Sequence, residues 1–333
     1  GFNACLLVYG QTGSGKTHTM FGASVANGGT AGAVVNSNTG CLLRALRELF
    51  EAKDALGERG MGVELSVQYI QIYQDQVTCL SSGNAVQLRE EVAGAPVLLQ
   101  GATTTTVANL GEAAEFLAAG EERKRYAETA MNHRSSRAHT VLVVKIVQTQ
   151  GDMSLTSFLH LVDLAGSERV KKSKVEGNRL VEAVGINTSL LVLGKCISAL
   201  LEDRSHVPYY ESRLTLLLRA ALGGDSRTAA IVCCYRDDAQ GDETLQTLRF
   251  GERCSQISTK AKSGKAASLS EALEAIDKAL QTCRDQMASL EQRGKAHLPA
   301  CQRLKDRYEG LRTRRVELQR QQAQQAQQAL PVL

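Results

Sequence analysis

The stretch from Gly10 to Thr17 (GQTGSGKT) holds the residue types best suited to chemistry. It has the glycine, lysine and threonine spacing typical of a phosphate-binding loop, and it follows a strand-like apolar run over 4–9. Backbone N–H groups of such a turn point into one concavity, and the helix that follows adds the positive end of its dipole. Lys16 adds a point charge for the outer phosphates, and the Thr17 hydroxyl suits Mg²⁺, which prefers oxygen ligands. A turn that merely links a strand to a helix would need neither side chain.

Two further stretches carry groups that could respond to a terminal phosphate. The stretch 132–139 (NHRSSRAH) stands just before an apolar run, and its paired hydroxyls can reach Mg²⁺ and the phosphate, as a switch loop requires. The stretch 161–168 (LVDLAGSE) ends another apolar run. Its Asp163 can hold the shell of the ion, and the backbone N–H of Gly166 can contact the γ-phosphate and move away after its loss. Together these stretches predict a switch driven by a nucleoside triphosphate.

Buried strands are predicted to position these stretches. Apolar, β-branched runs suited to central strands occupy 140–148 and 155–162. Strands are also predicted over 4–9 and 228–235. Val63 to Leu80 alternates like a half-buried strand and then becomes less regular, and further strand material follows over 86–100.

Helical periodicity separates these strands. It covers five segments: 39–56, 111–119, 176–202, 211–222 and 242–257. Thr39 could cap the first of these helices, and Gly120 suits the end of the second. Strands that alternate with helices around a phosphate-binding loop predict a three-layer α/β domain with a central, mostly parallel sheet. The ligand is expected at the carboxyl ends of the strands.

The composition excludes several classes of protein. With 333 residues and 43% apolar side chains, the chain can bury a large core. A net charge of +4 permits an acidic partner and does not demand nucleic acid. Nine cysteines without C-x-x-C pairs predict neither a zinc site nor a disulfide framework, which favours a reducing cytosolic setting. No apolar run reaches about eighteen residues, so no segment is predicted to span a membrane.

A different period begins near residue 269. Apolar residues then step by four and three, as in the seam of a coiled coil: Leu269, Leu273, Ile276, Leu280, Cys283, Met287 and Leu290. Gly294 interrupts the seam and Pro299 suits a first helical turn, so two helices of about 25 residues are expected. They could fold back as a hairpin, continue as a broken dimeric coil, or lie on the globular body. The end, 319–333, is a glutamine-rich, low-complexity tail.

Four stretches together resemble the kinesin motor domain: GQTGSGKT at 10–17, NHRSSRAH at 132–139, LVDLAGSE at 161–168 and ETLQTLRF at 243–250. The second and third are much more specific than a phosphate loop, because myosins and small GTPases share the logic but not these sequences. The resemblance implies microtubule-stimulated hydrolysis of ATP with Mg²⁺, coupled to movement or to microtubule remodelling. It also implies a place in the cytoplasm, on the microtubule cytoskeleton.

The same likeness suggests how the chain is divided. Residues 1–257 would form the motor domain without its first strands, and 258–267 would be a segment like a neck linker. Residues 268–318 would be a helical hairpin or a coiled coil, which in the second case could form a homodimer. The partner would be the microtubule, with no nucleic acid involved.

The resemblance assigns roles at the phosphate loop. The residues that would cradle the phosphates are Gln11, Thr12, Gly13, Ser14, Gly15, Lys16 and Thr17. His18 would lie beside the adenine, although a solvated helix histidine is the other interpretation. Ser136 would join Thr17 near Mg²⁺, and Asp163 would hold a water bound to the ion.

Further roles follow by resemblance at the two switch stretches. Ser135 would face the γ-phosphate and the attacking water, and Gly166 would sense the γ-phosphate. Arg137 and Glu168 would form the salt bridge that closes the two switches. This pair also suits hydrolysis, because a carboxylate beside an arginine can orient and deprotonate water through a relay while the positive charge steadies the transferring group.

The track-binding parts come from the same likeness. Lys171, Lys172 and Lys174 form a basic run, and the helix with NTSL at 187–190 resembles the relay helix of kinesins. The stretch 206–215 (HVPYYESRLT) resembles the loop and helix that meet tubulin. A basic surface would steer the encounter with acidic tubulin, whereas the other interpretation of the lysines is a solvated face.

The chain also departs from the family pattern. Ala138 stands where the first switch usually has a serine, and Thr188 where the relay helix usually has a lysine. The family's first strands, with the R-x-R-P-like adenine platform, precede the phosphate loop and are not found here. A missing strand would leave backbone groups unpaired, so we expect the chain as given to be unstable or weakly active. The alternative function is a microtubule-binding module with little or no ATPase activity.

Overall fold

The computed structural model describes residues 1–26, 35–90, 97–130, 137–151, 153–168, 178–264, 267–294 and 297–328. The strands there are β1 (Ala4–Gly10), β2 (Gly62–Tyr73), β3 (Gln76–Cys79), β4 (Gln87–Arg89), β5 (Leu98–Gln100), β6 (Thr105–Val107), β7 (His139–Gln150), β8 (Met153–Asp163), β9 (Arg227–Cys233) and β10 (Ala267–Ser268). The helices are α1 (Lys16–Ala26), α2 (Cys41–Gly57), α3 (Leu110–Ala130), α4 (Asn178–Leu201), α5 (Arg213–Leu217), α6 (Arg219–Gly223), α7 (Gly241–Ser255), α8 (Leu269–Gln292) and α9 (Pro299–Gln328).

The main sheet is mixed and has the strand order β3-β2-β7-β8-β1-β9. β1 runs parallel to both of its neighbours, β8 and β9, whereas β2, β3 and β7 pair antiparallel. Helices α1 to α3 pack on one face of the sheet, and α4 to α7 pack on the other. The predicted three-layer α/β architecture is confirmed, and the phosphate-binding loop follows a strand with parallel neighbours on both sides.

The side chains of β1 alternate between two hydrophobic cores, one on each face of the sheet. Cys5 and Leu7 belong to the core on the side of α4 to α7, and Val8 belongs to the core on the side of α1 to α3. Successive side chains of a strand point to opposite faces, so a strand buried on both sides must be apolar throughout. Tyr9 stacks on Phe250 of α7 with ring centroids 3.6 Å apart, which fixes the end of β1 just before the loop.

The irregular part of the stretch 63–80 is a hairpin turn. Gln74 and Asp75, between β2 and β3, have positive φ angles of 48° and 58°. Two consecutive residues with positive φ match the twist of an antiparallel hairpin. The strand material predicted over 86–100 forms β4 and β5, which pair with each other.

The prediction that a helix ends at Gly120 is wrong, because α3 continues to Ala130. A Cβ atom at Gly120 would lie 2.6 Å from Cδ1 of Tyr69 on β2. Glycine is therefore needed for a close approach between α3 and the sheet. The contact depends on a residue that is distant in sequence, so the local pattern of α3 could not distinguish it from a helix end.

Two smaller predictions about helices are also wrong. Thr39 does not cap α2, since the N-cap is Gly40 and no side chain caps it. A Cβ atom at Gly40 would collide with backbone atoms of Met20 and Gly22, so only glycine fits where the start of α2 crosses α1. The helix predicted over 211–222 is divided into α5 and α6 at Leu218, whose ψ of 4° leaves the helical range.

The C-terminal helices fold back on each other as an antiparallel hairpin, one of the three arrangements that the heptads allowed. The apolar residues between them are Ile276, Ala279, Leu280, Cys283, Leu304, Tyr308 and Leu311. Asp277 of α8 pairs with Arg315 of α9 at 2.7 Å. Gly294 follows α8 with a φ of 66°, and Pro299 begins α9, as the sequence predicted.

The hairpin is joined to the body at two places. β10 pairs antiparallel with the start of β8, directly before α8. Asp306 of α9 lies 3.4 Å from Arg89 of β4. None of the helices in the described ranges has the length and apolar character to cross a membrane.

Candidate nucleotide site

The loop after β1 forms an open cradle of backbone groups. Gly13 and Gly15 have positive φ angles of 81° and 98°, which favour glycine. A Cβ atom on Gly15 would meet no atom of the described residues within 4 Å, so the loop is uncrowded at that point. Gly10 is needed for another reason, because a side chain there would collide with the carbonyl of Cys233 on β9. The loop leads into α1 at Lys16, so the helix N-terminus faces the cradle.

Several polar side chains of the loop are buried against the protein. Lys16 is only 7% exposed, and its Nζ donates to the carbonyl of Gln11 at 2.9 Å. Burial lowers the pKa of Lys16, and the carboxylates of Asp163 and Glu168 act in the opposite direction. Among the described residues, Oγ of Ser14 and Oε1 of Gln11 are buried and have no hydrogen-bond partner. Unsatisfied polar atoms beside a buried cation fit an anionic, hydrogen-bonding ligand such as a triphosphate.

Two oxygen-bearing side chains meet at the start of α1. Oγ1 of Thr17 donates to Oδ2 of Asp163 at 2.7 Å, and Oδ1 of Asp163 is buried with no partner in the described ranges. Burial raises the pKa of the Asp163 carboxyl, while Lys124, the Thr17 hydroxyl and Lys16 lower it. A hydroxyl and a carboxylate with a free oxygen fit Mg²⁺, which is often held through water by one or two such groups.

The stretch after β8 contacts the phosphate-binding loop directly. Glu168 accepts hydrogen bonds from the backbone N–H of Thr12, at 2.8 Å, and from the Thr12 hydroxyl. Ser167 donates its N–H to the carbonyl of Gly10 at 3.1 Å. A side chain at Gly166 would collide with the Thr12 hydroxyl and the Glu168 carboxylate, so this tight contact requires glycine. The structure thus brings Glu168 and Gly166 to the phosphate-binding loop.

Several predicted site residues are not tested by the described part of the structure. Ser135 and Ser136, like the lysines at 171, 172 and 174, lie outside the described residues. The ion pairs between described residues do not include one joining Arg137 and Glu168. His18 is exposed on the first turn of α1. The switch salt bridge and the adenine contact therefore stay predictions.

His139, at the first position of β7, is a residue whose role the sequence did not indicate. Its Nδ1 accepts the backbone N–H of Ala165 at 3.0 Å, so its proton lies on Nε2, which is 2.8 Å from Oγ of Ser189 on α4. Burial, with a smaller effect of Lys16, lowers the pKa of His139 to about 3. The neutral ring therefore links the switch stretch after β8 to the helix expected to face the track.

The stretch 206–215 carries a polar cluster at the surface. The Tyr210 side chain is exposed, and its hydroxyl donates to Glu90 at 2.8 Å. Glu90 also pairs with Arg219 of α6. Lys195 of α4 pairs with Glu211 at 2.8 Å. These contacts tie α4, α6 and the end of β4 to the predicted track-facing loop.

Comparison with curated proteins identifies related sequences. The chain is 40% identical over 269 residues to the chromosome-associated kinesin KIF4 of Mus musculus, an alignment that covers 78% of this chain and 21% of that protein. It is 37% identical over 286 residues to the kinesin-like protein KIN-14A of Oryza sativa subsp. japonica, covering 84% of this chain and 29% of that protein. The chain thus spans less than a third of the length of these relatives.

Solved structures and a family model agree with these relatives. The structure of a fast kinesin matches with a TM-score of 0.72 and 35% identity, covering 80% of this chain and 74% of that chain. A KIF14 dimer with AMP-PNP, in complex with a microtubule, matches with a TM-score of 0.69 and 33% identity, covering 79% and 74%. The family model for the kinesin motor domain matches residues 1–257. The chain therefore belongs to the kinesin motor-domain family.

Proposed function

We propose that the chain is a microtubule-stimulated ATPase that couples the binding and hydrolysis of ATP to movement on microtubules. The proposal is supported by the contacts between the stretch 161–168 and the phosphate-binding loop. Asp163 accepts a hydrogen bond from Thr17, and Glu168 accepts one from Thr12. A segment that touches the loop at both ends must rearrange when a triphosphate enters or loses its last phosphate.

The residues of the loop bind and orient the nucleotide in this proposal. Lys16 leaves the carbonyl of Gln11 for the outer phosphates, and the N–H groups at the start of α1 bind phosphate oxygens. Thr17, Asp163 and Ser136 would hold Mg²⁺, directly or through water. When bound, the ion would neutralise charge that develops on the phosphates during transfer.

Glu168 has a second task after nucleotide binding. Its carboxylate now accepts hydrogen bonds from the N–H and the hydroxyl of Thr12, a residue of the phosphate-binding loop. We propose that it releases Thr12, pairs with Arg137 and orients water for attack, with Ser135 and the backbone of Gly166 near the γ-phosphate. A general base of this kind must lie within hydrogen-bond reach of the water or act through a second one.

The coupling to the track would pass through α4. His139 bonds Ala165 in the switch stretch and Ser189 on α4, so a shift of that stretch would move the histidine or break one of its hydrogen bonds. The KIF14 neighbour is a complex with a microtubule, which supports the same partner here. We accordingly propose the microtubule cytoskeleton of the cytoplasm as the location, and 1–257 as the motor unit.

The proposal is tested by nucleotide and microtubule binding of the full chain. Lys16→Ala should abolish binding of Mg·ATP, because the buried ammonium that faces the phosphates is lost. Lys278→Ala, an exposed lysine on α8, is the matched control and should bind normally. The unmodified chain should cosediment with microtubules more strongly with a non-hydrolysable ATP analogue than with ADP. Normal Mg·ATP binding by Lys16→Ala would overturn the assigned site.

A second candidate is a microtubule-binding module without appreciable hydrolysis. β9 forms an edge of the sheet, and its residues 227–230 are exposed. Unpaired backbone at such an edge weakens the strand that pairs with β1 beneath the phosphate-binding loop. This protein would cosediment with microtubules but would not release phosphate faster in their presence.

A further inference from the structure

Two buried charges on α3 have no part in the proposed function. Glu121 is 4% exposed and Lys124 is 6% exposed, and Nζ of Lys124 lies 3.6 Å from Oε2 of Glu121. The hydroxyl of the fully buried Tyr69 donates to Oε1 of the same Glu121. Nζ of Lys124 also lies 5.8 Å from the ring centroid of Phe21 on α1. Burying two charges is costly, so their place in the core calls for a role.

The pair lies close to the candidate metal site. Nζ of Lys124 is near the ring of Phe21, which follows Thr17 by one turn of α1, and the Thr17 hydroxyl bonds Asp163. Of the charged groups that lower the pKa of the Asp163 carboxyl, Lys124 comes before Lys16. Yet the ion pair that Lys124 makes among the described residues is with Glu121, not with Asp163. In the part of the chain that the structure describes, Oδ1 of Asp163 is buried without a hydrogen-bond partner. A carboxylate oxygen of the candidate metal site thus lacks a donor there, while the Lys124 ammonium is paired with another carboxylate.

We propose that Glu121 is a positioning residue that holds Lys124 away from Asp163 and so keeps Oδ1 open to Mg²⁺ or to its bound water. The inference rests on the proposed function, which supplies the ion. Lysine is a compact charge on a flexible stem, so without Glu121 the ammonium would be free to turn toward the unpaired Oδ1 of Asp163. An ammonium there would both occupy the oxygen and repel the incoming ion.

A purely structural role for the pair makes a different prediction. If Tyr69, Glu121 and Lys124 only anchor α3 to the sheet, loss of Glu121 would lower stability and weaken nucleotide binding with or without the metal ion. If Glu121 keeps the metal site open, its loss would change the dependence on Mg²⁺ and leave the metal-free affinity intact. Binding measured over a range of Mg²⁺ concentrations therefore separates the two roles.

The test uses the full chain and a fluorescent ADP analogue, titrated with MgCl₂ and repeated in EDTA. Glu121→Gln should raise the Mg²⁺ concentration for half-maximal binding by about tenfold, the usual scale for residues that support a metal ligand. Its affinity in EDTA should equal that of the unmodified chain. Glu122→Gln, on the exposed side of the same helix turn, is the control and should change neither value.

A double variant and a milder one complete the test. Glu121→Gln with Lys124→Met removes the ammonium that would close the site, so the Mg²⁺ dependence should return to within about twofold of the unmodified chain. Tyr69→Phe removes the hydroxyl that donates to Glu121, so it should raise the Mg²⁺ concentration for half-maximal binding by a smaller factor. This variant tests the inference if Glu121→Gln does not fold.

The outcomes separate this inference from the proposed function. If the unmodified chain binds no ADP analogue in a Mg²⁺-dependent way, the proposed function fails first. If it does, and Glu121→Gln and Tyr69→Phe both match Glu122→Gln, this inference alone is overturned. A double variant that stays as impaired as Glu121→Gln would overturn it as well, because Lys124 would then not be the group that closes the site.

Discussion

Glu168 is the residue whose position says most about the chemistry of the site. Its carboxylate accepts two hydrogen bonds from Thr12, one from the backbone and one from the hydroxyl. Backbone N–H groups of a phosphate-binding loop donate hydrogen bonds to a bound anion. Here the Glu168 carboxylate accepts one of these hydrogen bonds. In the proposed function, this side chain exchanges places with a phosphate oxygen and then acts on water.

Glu168→Ala tests this role. The variant should still bind Mg·ATP, because the loop and Lys16 are intact, but its turnover should fall by about 100-fold or more, the usual contribution of a positioned base. Single-turnover phosphate release and ATP binding by fluorescence measure the two effects separately. Glu252→Ala, an exposed glutamate on α7, is the matched control. Unchanged turnover in Glu168→Ala would require another residue to orient the water.

At the scale of elements, the parallel pairing of β1 and β8 builds the candidate metal site. Val8 of β1 lies opposite Asp163 of β8 in the register, so both strands end at the same edge of the sheet. The loop after β1 then leads to Thr17 while β8 ends at Asp163, and their side chains meet at 2.7 Å. Two segments about 150 residues apart in sequence are thus joined by strand pairing rather than by local structure.

The close packing of α3 on β2 gives a prediction about stability. Gly120→Ala should lower the free energy of unfolding by about 1–3 kcal/mol, because a methyl group there would overlap the Tyr69 ring. Gly194→Ala in α4 is the control, since a Cβ atom there meets nothing within 4 Å. It should raise the free energy of unfolding by about 0.5–1 kcal/mol through helix propensity. Denaturant unfolding measures both, and equal effects of the two substitutions would contradict the packing argument.

The C-terminal hairpin shows what a heptad pattern leaves open. The same apolar spacing suits a dimeric coil and an antiparallel pair within one chain. In this structure Leu280 and Cys283 of α8 pack against Leu311 of α9, so the seam is used within the chain. The Asp277–Arg315 and Arg89–Asp306 pairs then fix the register and attach the hairpin to β4.

For the whole molecule, the buried His139 and the half-buried His160 make stability depend on pH. Burial lowers the pKa of His139 to about 3 and that of His160, which shares a small cavity with Arg219, to about 4. The unfolded chain takes up protons near pH 6.5 while the folded chain does not, so stability is complete above that pH and is lost as pH falls toward 4. Each histidine should lower the free energy of unfolding at pH 5 by roughly 2 kcal/mol relative to neutral pH.

Denaturant unfolding at about pH 7.5 and pH 5 checks this prediction. His160→Gln should reduce the difference in the free energy of unfolding between the two pH values by about 2 kcal/mol. His297→Gln changes an exposed histidine and should leave the difference as it is. A chain that is as stable at the lower pH as at the higher one would contradict the burial of neutral histidines.

The sequence predicted those features that depend on local pattern. The phosphate-binding loop, the apolar strands and Asp163 at a strand end all follow from residues close together in the chain, and the three-layer architecture is confirmed. The role of Gly120 and the N-cap at Gly40 could not be predicted, because each depends on a backbone or ring brought near by the fold. The roles of His139 and of the Glu121–Lys124 pair could not be predicted either, because these residues also contact residues on other elements.

The most direct test of the central claim is phosphate release by the full chain with Mg·ATP, measured with and without microtubules. The account predicts a slow basal rate that microtubules raise severalfold, and no release by Lys16→Ala. Cosedimentation with microtubules at an unchanged rate of phosphate release would contradict it and would identify the chain as a binding module.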